Sequence, residues 1–176
     1  MVYLGVGSNL SSTFGNRFKN INLAITALKE KNINIIKKSS FYETLAYPNK
    51  NDPKFINIVI GVETHLSPNE LMKNLIFIEE KLQRKRNKKN DPRTCDIDII
   101  DYKRKIINFN FNNLMLQIPH QSMTKRSFVL HPLKEICPTW THPITKKTID
   151  ILIRDLKIDN NDITKLSQND IRTYDK

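Results

Sequence analysis

Cys95-Asp96-Ile97-Asp98-Ile99-Ile100-Asp101-Tyr102 reads as a β-strand, and the segments leading up to it decide the fold. Upstream, Ser67-Pro68-Asn69-Glu70 matches a helix start in which serine and glutamate cap each other's backbone donors and proline takes the first turn. That helix carries Leu71, Leu75, Ile78, Glu79 and Leu82, then runs into the basic stretch Arg84-Lys85-Arg86-Asn87-Lys88-Lys89-Asn90, and Pro92 stops anything helical before the strand. Phe55 to Thr64 alternates as a strand, Thr44 to Lys54 is a loop holding Pro48 and Pro53, and Ile33 to Tyr42 is β-branched and aromatic. Between Phe14 and Lys31, Phe18, Ile21, Ala24, Ile25 and Leu28 recur at helical spacing, with Ser12 or Thr13 as the expected cap. Val2 to Gly7 is a short buried strand. The order β-α-β-β-α-β predicts an α+β, ferredoxin-like sandwich: a mostly antiparallel sheet with helices on one side.

Further along, Lys103-Arg104-Lys105 is expected to turn a hairpin returning through Ile106-Ile107, and C-terminal helices are expected near Ser127 to Ile136 and Ile149 to Leu156. Residues 1–155 are read as a single domain, and 156–176 as a polar, partly disordered extension without an assignable role. Cys95 and Cys137 have no metal-ligand spacing and read as buried free thiols. No stretch approaches the roughly 18 apolar residues of a membrane span, and the N-terminus begins as a strand rather than a signal peptide. The expectation is a cytoplasmic monomer. The net charge of +11 favours anionic ligands or nonspecific nucleic-acid binding. However, Asn, Ile and Lys number 20, 24 and 21, and their A/T-rich codons offer genome bias as an alternative source of that charge.

Strand alternation puts the Asp96 and Asp98 carboxylates on one face, with Cys95, Ile97 and Ile99 on the other. Two such carboxylates repel unless a cation lies between them, and magnesium favours one or two carboxylates plus phosphate oxygens. The same pattern also suits a solvated face bearing two isolated acids. The basic run ending in Arg93 tips the balance, because a metal-binding pair beside several guanidinium groups is what a nucleotide triphosphate needs. Only four glycines occur, and neither Gly-x-x-x-x-Gly-Lys nor Gly-x-Gly-x-x-Gly is present, so side chains must hold the phosphates. His120 suits a phosphate contact, a general acid or a structural loop residue. Phe55 and Phe128 suit stacking on a planar ligand or filling the core. Asn57, inside a β-branched strand, needs partners for its amide.

Taken together, several runs resemble one enzyme family. They are Gly7-Ser8-Asn9-Leu10, Ser39-Ser40-Phe41-Tyr42-Glu43-Thr44, Phe55-Ile56-Asn57, Pro92-Arg93-Thr94-Cys95-Asp96-Ile97-Asp98-Ile99, Ile118-Pro119-His120, Arg126 to Leu133 and Pro138-Thr139-Trp140. The chain resembles the hydroxymethyl-dihydropterin pyrophosphokinases, which move pyrophosphate from ATP to a pterin alcohol in folate biosynthesis and release AMP. The resemblance implies that Asp96 and Asp98 bind two magnesium ions, with Asp96 also near the pterin. Phe55 and Phe128 would sandwich the pterin ring, and Asn57, Thr44 and Tyr47 would read its edge. Arg84, Arg86 and Arg93 would grip phosphates, Arg84 and Arg93 as catalytic groups. His120 and Arg126 would sit on the nucleotide side, with Glu79 supporting from the second helix and Trp140 packing only. The hydroxymethyl oxygen would attack the β-phosphorus of ATP. Two departures stand out: Asn90-Asp91 replaces the family's Trp-Gly, and Gln83 replaces a common glycine. No specific nucleic acid is expected as a partner. The rival readings are a basic ferredoxin-like domain that binds nucleic acid, and an inactive relative.

Overall fold

The centre of the molecule is β4, Phe55–Glu63, whose seven inner residues are all buried. A computed structural model describes residues 1–46, 49–85, 91–156 and 162–174. β1 (Val2–Ser8) pairs antiparallel with one edge of β4, and β5 (Asp96–Tyr102) pairs antiparallel with β1 beyond it. On the other edge, β2 (Asn34–Lys38) and β3 (Tyr42–Thr44) pair with successive parts of β4, as two halves of one interrupted strand. With α1 (Arg17–Glu30) after β1 and α2 (Pro68–Lys81) after β4, the expected βαββαβ order is present and every described pairing is antiparallel.

Alternation along these strands makes two different faces. Val2, Leu4, Val6, Ile56, Ile58, Ile60 and Val62 pack with Phe18, Ile21, Ala24 and Leu28 of α1 and Leu71, Leu75 and Ile78 of α2. Each of the Val, Leu, Ile and Phe side chains contributes roughly 1.5–3 kcal/mol by leaving water. The opposite face, at Tyr3, Val59 and Ile100, is covered by α3 (Ser127–Ile136) and α4 (Ile149–Arg154). The additional C-terminal helices therefore lie across the sheet from α1 and α2. A bulge helps seat them: Tyr3 pairs with Asp101 and Leu4 with Ile99, so Ile100 has no partner in register. Trp140, fully buried, donates from Nε1 to Asp101 Oδ2 at 2.9 Å, and the Arg104 amide donates to Asp101 Oδ1 at 2.7 Å. Trp140 thus anchors this layer to β5 as well as packing.

Three local expectations change. The α1 cap is Asn16, whose side chain accepts from the Lys19 amide, because Ser12 is committed to a turn closed on Gly15. Lys103-Arg104 does turn the chain, with a bridge between Tyr102 and Lys105, but the hairpin forms further on. β6 (Ile107–Phe111) pairs with β7 (Leu114–Ile118) across Asn112-Asn113, both at positive φ. In the C-terminal extension, β8 (Ile163–Lys165) joins the sheet beside β3, and α5 (Gln168–Thr173) follows it. Cys95 is buried and Cys137 half-buried, both as free thiols. Among the described residues, no helix is long and apolar enough to cross a membrane.

Candidate active site

α3 and α4 cover only part of their face of the sheet. Beyond them lie Asp96 and Asp98, paired in register with Gly7 and Gly5 of β1; Gly7 is paired in turn with Asn57 of β4. The two carboxylates therefore share a face, as alternation requires, while Cys95, Ile97 and Ile99 belong to the core on the other side. Gly7 keeps the floor of this region clear. A Cβ there would stand 2.8 Å from Asn57 Oδ1 and 3.6 Å from Phe55 Cδ1.

Charge is distributed unequally over the pair. Asp96 accepts from Arg84 Nη1 on one oxygen and from Arg93 Nη2 on the other, each at 2.6 Å. Asp98 accepts from Arg126 Nη1 at 3.1 Å, with His120 Nε2 at 3.9 Å. Burial opposes ionisation of Asp96, but the Arg93 and Arg84 charges outweigh it and hold the carboxyl below its usual range. Burial and the neighbouring Asp96 charge push Asp98 upward against the pull of His120 and Arg126. Burial lowers His120, with Asp98 opposing and Arg126 reinforcing. The His120 ring is oriented by the Ser122 amide, which donates to Nδ1 at 3.1 Å, so Nε2 faces Asp98.

Behind the pair stands Glu79, 2% exposed on the inner side of α2. It accepts from the Ile97 amide at 2.7 Å and from Arg84 Nη1, tying the strand and the arginine to the helix. Arg84 follows directly on Gln83, which holds φ at 66° just past the end of α2. The Gln83 amide accepts from the Thr13 backbone N–H at 3.1 Å and donates to Thr13 Oγ1 at 2.8 Å. Asn9, to which the sequence assigns no role beyond its place in a matching run, fixes the far end of the arginine segment. Its Oδ1 accepts from the Arg93 amide at 2.6 Å, and its Nδ2 donates to the Pro53 carbonyl at 3.0 Å. A Gly-Ser-Asn turn straight after a strand was the available signal, since such asparagines bond to nearby backbone.

The aromatic and polar residues expected around a planar ligand lie on the same face. Phe55 and Phe128 are half-buried. The Arg93 guanidinium sits 4.9 Å from the Phe55 ring centre, and that of Arg126 sits 5.6 Å from the Phe128 ring centre. Each ring is thus one arginine away from one of the two carboxylates. Asn57 Nδ2 donates to Thr44 Oγ1 at 3.0 Å in a buried pair. Tyr47 and Arg86 lie outside the described residues.

Unpartnered polar atoms beside the carboxylate pair suit an oxygen-rich, anionic ligand. Arg93 Nε and Thr94 Oγ1 are buried and, among the described residues, without hydrogen-bond partners, a costly state that a bound group could relieve. No group of three or more His, Cys, Asp or Glu side chains is placed to hold a metal among the described residues. The Asp96–Asp98 pair would therefore share any ion with outside oxygens, which is how magnesium is commonly held beside phosphates. The under-neutralised Asp98 suits such an ion.

Several known proteins are similar to this chain. Residues 3–138 match the model of the family described as 7,8-dihydro-6-hydroxymethylpterin-pyrophosphokinase. The 2-amino-4-hydroxy-6-hydroxymethyldihydropteridine pyrophosphokinase of Aquifex aeolicus is 38% identical over 148 residues, covering 84% of this chain and 87% of that protein. A folic acid synthesis protein, fol1, of Pneumocystis carinii is 41% identical over 148 residues, 84% of this chain but 19% of its own length. Among solved structures, wild-type Plasmodium falciparum HPPK-DHPS with pteroate superposes with a TM-score of 0.67 at 16% identity, over 87% of this chain and 43% of that one. At that identity the likeness speaks for the fold alone.

Proposed function

The chain belongs to the 7,8-dihydro-6-hydroxymethylpterin-pyrophosphokinase family, and from that membership we propose that it transfers pyrophosphate from ATP to the hydroxymethyl group of 6-hydroxymethyl-7,8-dihydropterin, releasing AMP. The observation that carries this reading is the placement of Asp96 and Asp98 on one face, with Arg84, Arg93 and Arg126 on their oxygens, beside Phe55 and Asn57. That combination offers an anionic cofactor and a flat, hydrogen-bonding ring adjacent seats.

In this reading Phe55 and Phe128 stack on the pterin, each contact worth about 0.5–1.5 kcal/mol beyond burial. Asn57 and Thr44, already bonded to each other, present the pterin edge with a fixed amide orientation. Tyr47 adds to that edge. Asp96 and Asp98 would hold two magnesium ions, whose chemistry when bound would be charge neutralisation and acidification of the attacking hydroxyl. Arg84 and Arg93 are the catalytic cations: they neutralise Asp96 here and turn to phosphate oxygens as the nucleotide enters, stabilising charge on the transferred group. Arg86 joins them, and His120 and Arg126 hold the nucleotide side, with Glu79 fixing Arg84. Held in line, the hydroxymethyl oxygen attacks the β-phosphorus and AMP leaves; positioning supplies much of the rate. We propose that the protein acts as a cytoplasmic monomer with small-molecule partners only. The nucleic-acid reading and the inactive-relative reading are not favoured, given the family match and the assembled arginine–carboxylate site.

Phosphorus NMR of a reaction holding ATP, magnesium and the dihydropterin tests the reaction class. The expected products are AMP and a pterin diphosphate ester. ADP with a monophosphate ester, or no consumption of ATP, would overturn the proposal.

A further inference from the structure

The family match ends at residue 138, yet the last described residues reach back to the rim of the site. β8 pairs with β3 in register, Thr44 opposite Ile163, and the Leu166 amide donates to the Phe41 carbonyl at 2.9 Å. Leu166 and Ile171 pack against the main core. α5 then delivers Tyr174 to a cluster of charged groups. Its hydroxyl donates to Glu43 Oε1 at 3.1 Å, and its carbonyl accepts from Asn16 Nδ2 at 3.0 Å. Its ring lies 5.2 Å from the Arg17 guanidinium and 5.1 Å from the Phe18 ring.

Glu43 is the hub of this cluster. It pairs with Arg17 at 3.3 Å and with Lys54 at 3.2 Å, while Arg17 Nη1 also donates to the Lys54 carbonyl at 2.6 Å. Glu43 precedes Thr44 in β3, and Lys54 precedes Phe55 in β4. Thr44 and Phe55 are themselves paired in register. The cluster therefore fixes the backbone immediately before one residue assigned to the pterin edge and one assigned to its ring face. Within the cluster the Glu43–Arg17 pair is shielded, with side-chain exposures of 12% and 17%, whereas Lys54 is 55% exposed, so the Arg17 pair is the stiffer of the two joints.

We infer that the C-terminal segment 162–174 is a positioning element for pterin binding, with Tyr174 closing the Glu43–Arg17–Lys54 cluster that sets Thr44 and Phe55. The inference rests on the pterin-binding reading above. Covering the edge of β3 against pairing with other chains is the purely structural alternative.

The full chain, Tyr174→Phe, Tyr174→Ala and a chain ending at residue 161 separate the two. The readouts are the KM for 6-hydroxymethyl-7,8-dihydropterin, the KM for ATP, kcat, the melting temperature, and the Kd of the pterin from its own fluorescence. Tyr174→Phe keeps the ring and loses one hydrogen bond to a carboxylate, so pterin KM and Kd should rise about threefold. Tyr174→Ala should raise them about tenfold, with ATP KM changed less than about twofold. A folded chain ending at residue 161 should match or exceed the alanine variant; if it does not fold, the two Tyr174 variants decide. Unchanged pterin KM and Kd in a folded Tyr174→Ala protein, with only its melting temperature lowered, would overturn the inference in favour of edge cover. An unaltered chain that binds pterin without turnover would sink the activity reading and leave the Kd comparison to judge this one. An unaltered chain that binds no pterin would sink both.

Discussion

Gly7 and Gln83 show how single positions shape this site. Gly7 occupies an extended strand, so its value lies in the absent side chain rather than in backbone freedom. An alanine Cβ would crowd Asn57 Oδ1 at 2.8 Å, and Asn57 is already committed to Thr44. Gly7→Ala is therefore expected to fold and to lose pterin affinity by about tenfold or more; pterin fluorescence titration measures it, and unaltered affinity would mean the ring does not lie over this strand. Gln83 presents the opposite case: a residue with a side chain holds φ at 66°, where glycine is at ease. Its two bonds to Thr13 offset that cost. Both Gln83→Ala and Gln83→Gly lose those bonds, but only alanine keeps the strain. Thermal or denaturant unfolding should find the glycine variant more stable than the alanine variant by about 1 kcal/mol. Equal stabilities would show that the backbone there relaxes.

At the scale of elements, α3 is fastened to the sheet through Glu135 as well as through its apolar side. Glu135 accepts from the Ser40 hydroxyl and the Tyr42 hydroxyl, each at 2.8 Å, and pairs with Lys165 of β8 at 3.3 Å. Burial alone would raise its carboxyl, but the Ser40 and Tyr42 hydrogen bonds outweigh burial and hold it low. A depressed carboxyl stabilises the fold above its unfolded value of about 4.3, and that contribution disappears as pH falls through the folded value. The melting temperature of Glu135→Gln should thus lie below that of the unaltered protein at pH 7, with the gap closing below about pH 4. A gap that persists in acid would assign the effect to packing instead. Element order is legible in the sequence, because helical spacing in α1 and α2 and alternation in β1, β4 and β5 are local properties of sequence. The shared face of Asp96 and Asp98 followed from the same alternation. The β6–β7 hairpin was less legible: Lys103-Arg104 takes positive φ without any glycine or asparagine, while the stronger turn signal lay at Asn112-Asn113. β8 was hidden for a different reason. Ile163-Thr164-Lys165 becomes a strand only because β3 offers an edge, which is a tertiary effect.

At the scale of the whole molecule, one face of the sheet is spent on stability and the other is divided. Part of that second face is sealed by α3, α4 and Trp140; the remainder holds the carboxylate pair, three arginines and the aromatic residues. What the sequence could not display was the wiring between distant segments: Asn9 to Arg93, Glu79 to both Arg84 and Ile97, and Tyr174 to Glu43. These contacts join residues with no common period, and only the fold brings them together. The central claim is that Asp96 and Asp98 hold the cations on which nucleotide chemistry depends. Its most direct test is magnesium-dependent AMP release from ATP and the dihydropterin by the unaltered protein and by Asp98→Ala, with circular dichroism confirming that the variant is folded. The expected result is loss of activity by at least about a hundredfold in the variant. AMP release that continues undiminished in a folded Asp98→Ala protein would contradict it.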